Sequence, residues 1–329
     1  MPDAMVSNDL IVGSSSFVKN THDDVDKYSK MIRLVRVQHI FYPDIPKNYV
    51  YELSARQAMR GYDLSVITWS KNSRYSILRT PEGFLIHRLP GLNFSFAHMI
   101  KDYPYIPSLP KTIESLNPDI VHVESHLFLT SLQAIKKAKN LKKPCVVTVH
   151  GVFADRGALI NFFQSIYLRT IALEIFKQAD KVICLTKSDF EELVKIGCPA
   201  EKISIVPNAV DVNKFKPSNK REENLLVWTG RFVPEKGVEY LIKAAKIMTN
   251  SVKDFRLLLI GYGPLKYKLL KMIYKLNLQD HIKIIGPLTR DEIAQILKRA
   301  TIFIFPSVRE GLPLALLEAL ACGLPVIGT

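Results

Sequence analysis

The sequence predicts an α/β fold of two Rossmann-like lobes with a cleft between them. From Met31 onward, short β-branched runs alternate with helical stretches, the mark of a parallel sheet covered by helices. The alternation restarts at Asn224, after a turn-rich bridge between Pro207 and Pro217. A length of 329 residues makes two domains the prior, each large enough to bury a core. The expected division is a polar N-terminal extension over 1–30, a first lobe over 31–206, a linker over 207–222 and a second lobe over 223–329.

In the first lobe, 32–37, 64–68, 120–123, 145–149 and 181–185 read as strands, and 49–60, 129–139, 158–177 and 189–195 as helices. Ser188-x-x-Glu191 is a candidate capping box for the last helix. In the second lobe, 238–248, 265–276 and 291–299 read as helices, the last opened by Thr289-x-x-Glu292. An apolar run over 301–305 follows, then a Leu/Ala-rich helix that opens after Pro313 and stops at Gly323, then a strand-like 325–328. The extension is polar, with Ser14-Ser15-Ser16 and Asp23-Asp24-Val25-Asp26, so either it is disordered or Met31 is the true start. Asp24-x-Asp26 mimics a metal-binding DxD but lies outside the expected fold.

Composition is ordinary for a globular protein, with 47% hydrophobic and 23% charged residues. No run of about 18 apolar residues reads as a spanning helix. The start shows no basic and apolar leader pattern, so a cytoplasmic location is expected. Cys145, Cys184, Cys198 and Cys322 form no CxxC pair and read as buried thiols. The net charge of +14, spread over both halves, suits anionic substrates at an acidic membrane surface; solvated lysine-rich faces are the alternative. Nucleic-acid binding is not expected, since there is no RNP-like motif, zinc finger or basic tail.

The chemistry concentrates near the C-terminus. Glu310-Gly311-Leu312-Pro313-Leu314-Ala315-Leu316-Leu317-Glu318 places one carboxylate in a loop and a second eight residues later in a helix. Carboxylates near a helix N-terminus suit a polyhydroxylated, phosphate-bearing ligand. Upstream, Gly230-Arg231 and Lys236-Gly237 flank a strand-to-helix turn; Gly261-Tyr262-Gly263-Pro264, Gly286-Pro287-Leu288, Pro207-Asn208-Ala209-Val210-Asp211 and Thr148-Val149-His150-Gly151 complete the set. These motifs, in this order over about residues 31–329, resemble the retaining nucleotide-sugar glycosyltransferases of family 4, which have the GT-B fold.

The resemblance implies roles residue by residue. Arg231 and Lys236 would neutralise the donor diphosphate, with Gly230 and Gly237 letting the backbone approach; otherwise they are surface cations at a helix start. Glu318 would accept the ribose hydroxyls, and Glu310 would lie beside the transferred sugar near the backbone of Gly311, Leu312, Pro313 and Leu314. Leu288 belongs to the loop that would meet the base. His150 would orient and polarise the donor sugar, or is a satisfied core histidine. His122-x-Glu124-x-His126 could bind zinc or meet substrate hydroxyls. Gly261-x-Gly263 fails the dinucleotide fingerprint because Lys266 takes the third glycine position, and reads as a turn.

Two departures stand out. Where the family carries a Gly-Gly loop after the first strand, this chain has Phe41-Tyr42-Pro43-Asp44-Ile45-Pro46-Lys47-Asn48, and without glycine this backbone is not expected to approach the donor phosphates in the same way. Thr329 directly follows the strand-like 325–328, so a C-terminally truncated second lobe is expected. Leu92, Phe94, Phe96, Met99, Ile100, Tyr103 and Tyr105, with the helix holding Phe162, Phe163, Ile166 and Tyr167 between Arg156, Arg169 and Lys177, either pack on the sheet or meet a membrane. The implied activity is metal-independent transfer from a nucleoside-diphosphate sugar to a hydroxyl acceptor (glycan, lipid-linked or small molecule), without cofactor. An inactive sugar-binding or interaction module and a sugar-nucleotide epimerase of the same fold are the alternatives.

Overall fold

Short apolar runs pair in parallel to form two sheets in the computed structural model, which describes residues 31–44, 48–94, 102–152, 158–252, 254–308 and 310–329. The first half runs β1 (Arg33–Val37), α1 (Tyr49–Met59), β2 (Asp63–Trp69), β3 (Ser76–Arg79), β4 (Leu85–Leu89) and the small hairpin β5 (Leu92–Asn93) and β6 (Pro104–Tyr105). It continues through α2 (Leu109–Leu116), β7 (Ile120–Glu124), α3 (Leu129–Asn140), β8 (Cys145–Thr148), α4 (Ala158–Tyr167), a π-helical turn Leu168–Ala172, α5 (Leu173–Gln178), β9 (Lys181–Cys184), α6 (Lys187–Ile196) and β10 (Ile203–Ile205). The second half comprises β11 (Leu225–Arg231), α7 (Val238–Met248), β12 (Arg256–Tyr262), α8 (Lys266–Lys275), β13 (Ile282–Ile285), α9 (Arg290–Arg299), β14 (Ile302–Phe305), α10 (Leu314–Ala321) and β15 (Val326–Gly328).

The first sheet has the order β10-β9-β8-β7-β1-β2-β4-β3, parallel except for β3. The second, β13-β12-β11-β14-β15, is wholly parallel. In both, the first strand in sequence is flanked by its successor on one side and by a later strand on the other: β1 by β2 and β7, β11 by β12 and β14. These are topological switch points, where ligands of open α/β sheets bind beyond the carboxyl ends of the strands. Helices bury the sheet faces. Ala134, Ile135 and Ala138 of α3 and Ile175 and Phe176 of α5 pack with Val121, Val147 and Val182 in the first core. Leu241, Ile242 and Ala245 of α7 and Leu269 and Ile273 of α8 pack with Leu257 and Leu259 in the second.

Two local expectations are corrected. The capping box of α6 is Thr186 with Asp189, not Ser188 with Glu191. Thr186 has the extended backbone a capping residue needs, whereas Ser188 already lies in the first helical turn. The helix expected over 158–177 contains the π-turn, within which Thr170 donates its hydroxyl to Ile166 O at 2.7 Å. The Thr289–Glu292 box forms as expected. The antiparallel β3, the hairpin and α2 do not follow from the sequence patterns above and appear only in the fold.

α1 reaches the second half of the chain by two ion pairs, Arg56 to Asp211 at 2.6 Å and Glu52 to Arg290 at 2.8 Å. Asn208 adds a hydrogen bond to Leu312 O at 2.7 Å. The segment between the sheets thus holds the loop that precedes α10.

Candidate active site

The carboxyl end of β11 delivers Gly230 and Arg231, and a short 3-10 turn, Pro234–Lys236, delivers Lys236. Gly237 ends that turn at φ +64°, and a Cβ there would sit 1.8 Å from Pro306 O. Glycine is therefore what lets the β11–α7 turn close onto the loop after β14. Val308 N donates to Glu235 O at 2.9 Å, so the two loops are joined. This joining sets Lys236 against Glu310, and the two form an ion pair with about four-fifths of each side chain covered.

At the carboxyl ends of β11 and β12 lies a cavity of about 240 Å³ with mostly apolar walls, among them Gly230, Arg231, Tyr262, Pro287, Leu288 and Ala315. Arg231 is exposed and has no acidic partner among the described residues. The cavity floor depends on close strand approach: a Cβ at Gly261 would meet Gly230 O at 1.8 Å. Gly261 thus serves strand packing inside β12, which corrects its reading as a turn: the turn begins only after Gly263.

Gly311 and Leu312 lead to Pro313, the N-cap of α10, and Leu314 opens the helix. A Cβ on Gly311 would lie 3.9 Å from Asp189 Oδ2 of α6, so the first sheet's helices approach this loop closely. Glu318 sits two-thirds of the way along α10 and is buried. Burial pushes its carboxyl up to about 7. Arg290 opposes that shift, pairing with Glu318 Oε1 at 2.7 Å.

His150 lies outside these pairs and is bonded within the first half of the chain. Its Nε2 is 2.9 Å from Glu124 Oε2 at the end of β7, and Glu124 Oε1 is 3.0 Å from Arg36 Nε. Arg36 is fully buried and also donates to Ser54, to Gln57 of α1 at 2.7 Å and to His122 Nδ1 at 3.3 Å. An arginine can only donate, so His122 accepts at Nδ1 and carries its proton on Nε2, 2.7 Å from Thr148 Oγ1. Burial holds His122 down at about 4, which keeps it neutral. Burial works against ionised Glu124, but His122, the His150 hydrogen bond and Arg36 overcome it and hold the carboxyl at about 2.

This network corrects the zinc reading of His122, Glu124 and His126. The first two are engaged as described, His126 is buried against Phe176, and no three metal-ligand side chains converge among the described residues. They are equally unavailable to substrate hydroxyls, except through His150. Asp24 and Asp26, Phe96, Met99, Ile100 and Arg156 lie outside the described residues, as do Ile45, Pro46 and Lys47 of the loop that replaces the glycine pair. In that loop Asp44 pairs with Arg88 at 2.6 Å, and Asn48 caps α1. Of the aromatic stretch, Tyr103 is buried, while Leu92, Phe94, Phe162, Phe163 and Ile166 are exposed. The packed reading therefore holds for the π-turn and α5, and not for the exposed face of α4.

Arg36, Arg290 and Tyr262 were not foreseen as site residues. A lone arginine in the apolar strand run 34–37 was a legible hint of a buried partner. A cation at the first residue of a helix, against the helix dipole, was the corresponding hint for Arg290.

Two sheets, the second wholly parallel and the first parallel but for its edge strand β3, each with a switch point, and paired loops at their carboxyl ends define the GT-B fold. Solved structures with this fold match closely: sucrose-phosphate synthase from Thermosynechococcus elongatus, with a TM-score of 0.73 at 19% identity over 90% of this chain and 81% of that one, and Anabaena HepE in complex with UDP and glucose, with 0.70 at 16% identity over 90% and 80%. The chain belongs to Glycosyltransferase Family 4, whose profile matches residues 47–214, and the profile of glycosyl transferases group 1 matches residues 210–329. It is 35% identical over 249 residues to the Escherichia coli UDP-Gal:alpha-D-GlcNAc-diphosphoundecaprenol alpha-1,3-galactosyltransferase, covering 70% of this chain and 62% of that protein. It is 25% identical over 307 residues to a phosphatidylinositol N-acetylglucosaminyltransferase component of Arabidopsis thaliana, covering 91% and 67%. The chain thus spans less than two thirds of the length of the first of these relatives.

Proposed function

We propose that this protein is a retaining, metal-independent glycosyltransferase that moves a sugar from a nucleoside diphosphate to a hydroxyl acceptor. The observation that carries the reading is the arrangement at the β11–β14 switch point. Lys236 sits against Glu310, and Arg231, without an acidic partner among the described residues, lines an apolar cavity with Leu288. A base fits the cavity walls, the diphosphate fits Arg231 and Lys236, and the ribose fits Glu318. Lys236 exchanges Glu310 for phosphate when donor binds, and its attraction grows as charge builds on the departing diphosphate.

Transfer breaks the bond between the anomeric carbon and the phosphate oxygen and forms one between that carbon and the acceptor oxygen on the same face. The acceptor proton passes to the leaving phosphate oxygen, so no protein nucleophile is required. His150, its ring fixed by Glu124, orients the donor sugar. Positive charge from Arg231 and Lys236 does the work a metal would do elsewhere.

For the acceptor, two relatives are named for lipid-borne substrates, an undecaprenol diphosphate and a phosphatidylinositol. The exposed Phe162, Phe163 and Ile166 of α4, followed by Arg169, suit contact with a membrane surface that carries such an acceptor. A peripheral position on the cytoplasmic face follows from that reading.

The test is donor turnover across a panel of nucleoside-diphosphate sugars, with membrane lipid extract as acceptor and with EDTA present. The expected result is transfer with retained anomeric configuration, unchanged by chelation. Loss of transfer on chelation, restored by magnesium or manganese, rules out the metal-independent mechanism; an inverted product rules out the retaining one.

A further inference from the structure

We propose that Arg290 is a positioning residue of the donor site: through its ion pair it holds Glu318 as the carboxylate that receives the ribose hydroxyls. The inference rests on the donor reading above and assigns a part to a residue outside its motifs.

Arg290 is the first residue of α9, fixed there by the Thr289–Glu292 capping box. A cation at this position opposes the helix dipole, so its place has to be offset by other contacts. They are present. The guanidinium is paired with Glu318 Oε1 at 2.7 Å and Glu52 Oε1 at 2.8 Å, lies 5.4 Å from the Phe215 ring centroid, and is only 15% exposed. An arginine held on three sides is a preorganised clamp rather than a mobile surface charge.

The carboxylate needs such a partner. Burial drives Glu318 toward its neutral form, and the charge of Glu52 across from it drives it further. Arg290 from α9 is the main opposing charge, and Lys214, itself paired with Asp291 at 3.0 Å, is the lesser one. The Cys322 thiol, one turn further along α10, is itself pushed up by burial and so stays neutral. A neutral carboxyl loses the charge-assisted hydrogen bonds that make a carboxylate a strong acceptor of two hydroxyls. Glu318 at about 7 is therefore balanced near neutral pH, and Arg290 decides the side on which it falls.

The experiment measures affinity for UDP, ADP and GDP by calorimetry between pH 6 and 9, each against its 2′,3′-dideoxy form. That form titrates at the same phosphate but lacks the hydroxyls. For the wild type, the advantage of the ribose form over the dideoxy form should shrink as pH falls through about 7. In Arg290→Gln this decline moves to higher pH: the advantage is smaller at pH 7 by roughly tenfold or more, and is regained toward pH 9. Arg290→Lys should restore part of it. Glu52→Gln, which removes the charge that disfavours ionised Glu318, should move the decline to lower pH. This second variant carries the test if Arg290→Gln does not melt like the parent.

A loss in Arg290→Gln that is equal at every pH, or equal for the dideoxy nucleotides, would overturn the inference, as would no change in either variant. A wild type that binds none of the nucleotides overturns the donor reading itself, and this inference with it.

Discussion

Glu124 and Glu318 are both buried carboxylates paired with an arginine, yet burial leaves them in different states. Glu124 faces Arg36 and His150 with no second acid among the described residues, and its carboxyl falls to about 2. Glu318 shares Arg290 with Glu52, and its carboxyl rises to about 7. In one network an arginine and a histidine both face a single carboxylate. The other is held by pairs that a ligand can take over, as is Lys236 on Glu310. A carboxylate held ionised by two cationic or donor partners fixes a side chain, here His150; one whose arginine is shared with a second acid keeps free energy in reserve for a ligand.

The comparison breaks most clearly at Arg36. Arg36→Met strips Glu124 of its guanidinium, leaving only His150 and His122 beside it, and leaves Ser54 and Gln57 without their donor; breaking such a buried pair costs about 3–5 kcal/mol. Urea unfolding should show that loss in full at pH 7. A loss under about 1 kcal/mol would mean the first network is no more committed than the second.

In the second region the same kind of substitution should act on the reaction instead. Lys236→Ala removes one partner of a largely covered but solvent-touching pair, so stability should fall by no more than about 1–2 kcal/mol. Turnover should fall by roughly 10² to 10³, about 3–4 kcal/mol of barrier, because the lysine acts on charge that develops at the leaving diphosphate. Full turnover in a variant that stays folded at the assay temperature would place the diphosphate elsewhere.

Gly237→Ala tests what brings Lys236 to Glu310. The backbone there is left-handed, and the added methyl would meet Pro306 O, so the turn must open. The expected cost is about 1–3 kcal/mol of stability, together with weaker donor binding. Unchanged stability with lost donor binding would show that the loop and not the fold depends on this glycine.

How far the sequence revealed all this depends on the range of the interaction. The strands and the helix starts at Thr289 and Pro313 were readable because they are set by neighbours a few residues away. The motif residues Arg231, Lys236, Glu310 and Glu318 were recognisable as a set, and the pairing of Lys236 with Glu310, 74 positions apart, came only with the fold. Glu124 was legible only as a ligand-type side chain open to zinc or to substrate hydroxyls, since the strand periodicity that aligns it with His122 carries no sign of Arg36, 88 residues earlier in the chain. Arg290 was the hardest. Its partners come from α1 and α10, and local sequence offers only the oddity of a cation at a helix start.

The smallest expected effect is the most discriminating, because the two carboxylates should respond to pH with opposite signs. Glu124 is depressed in the folded protein, so its stabilisation is present above its unfolded value of about 4.5 and is lost as pH falls toward 2. Glu318 is raised, so the folded state holds the extra proton between about 4.5 and 7, and stability declines as pH climbs through that window. Glu318→Gln abolishes the decline. The amide keeps the shape, Arg290 keeps Glu52, and the penalty for ionising a buried acid disappears. The variant should match the parent near pH 4.5 and exceed it by about 1–2 kcal/mol at pH 8, less than the full shift implies because one ion pair is given up, while its affinity for donor falls. Urea midpoints at the two pH values decide it. A Gln variant weaker than the parent at pH 8 would mean that Arg290 and Glu318 hold the fold together as Arg36 and Glu124 do, and the contrast between the two networks would be gone.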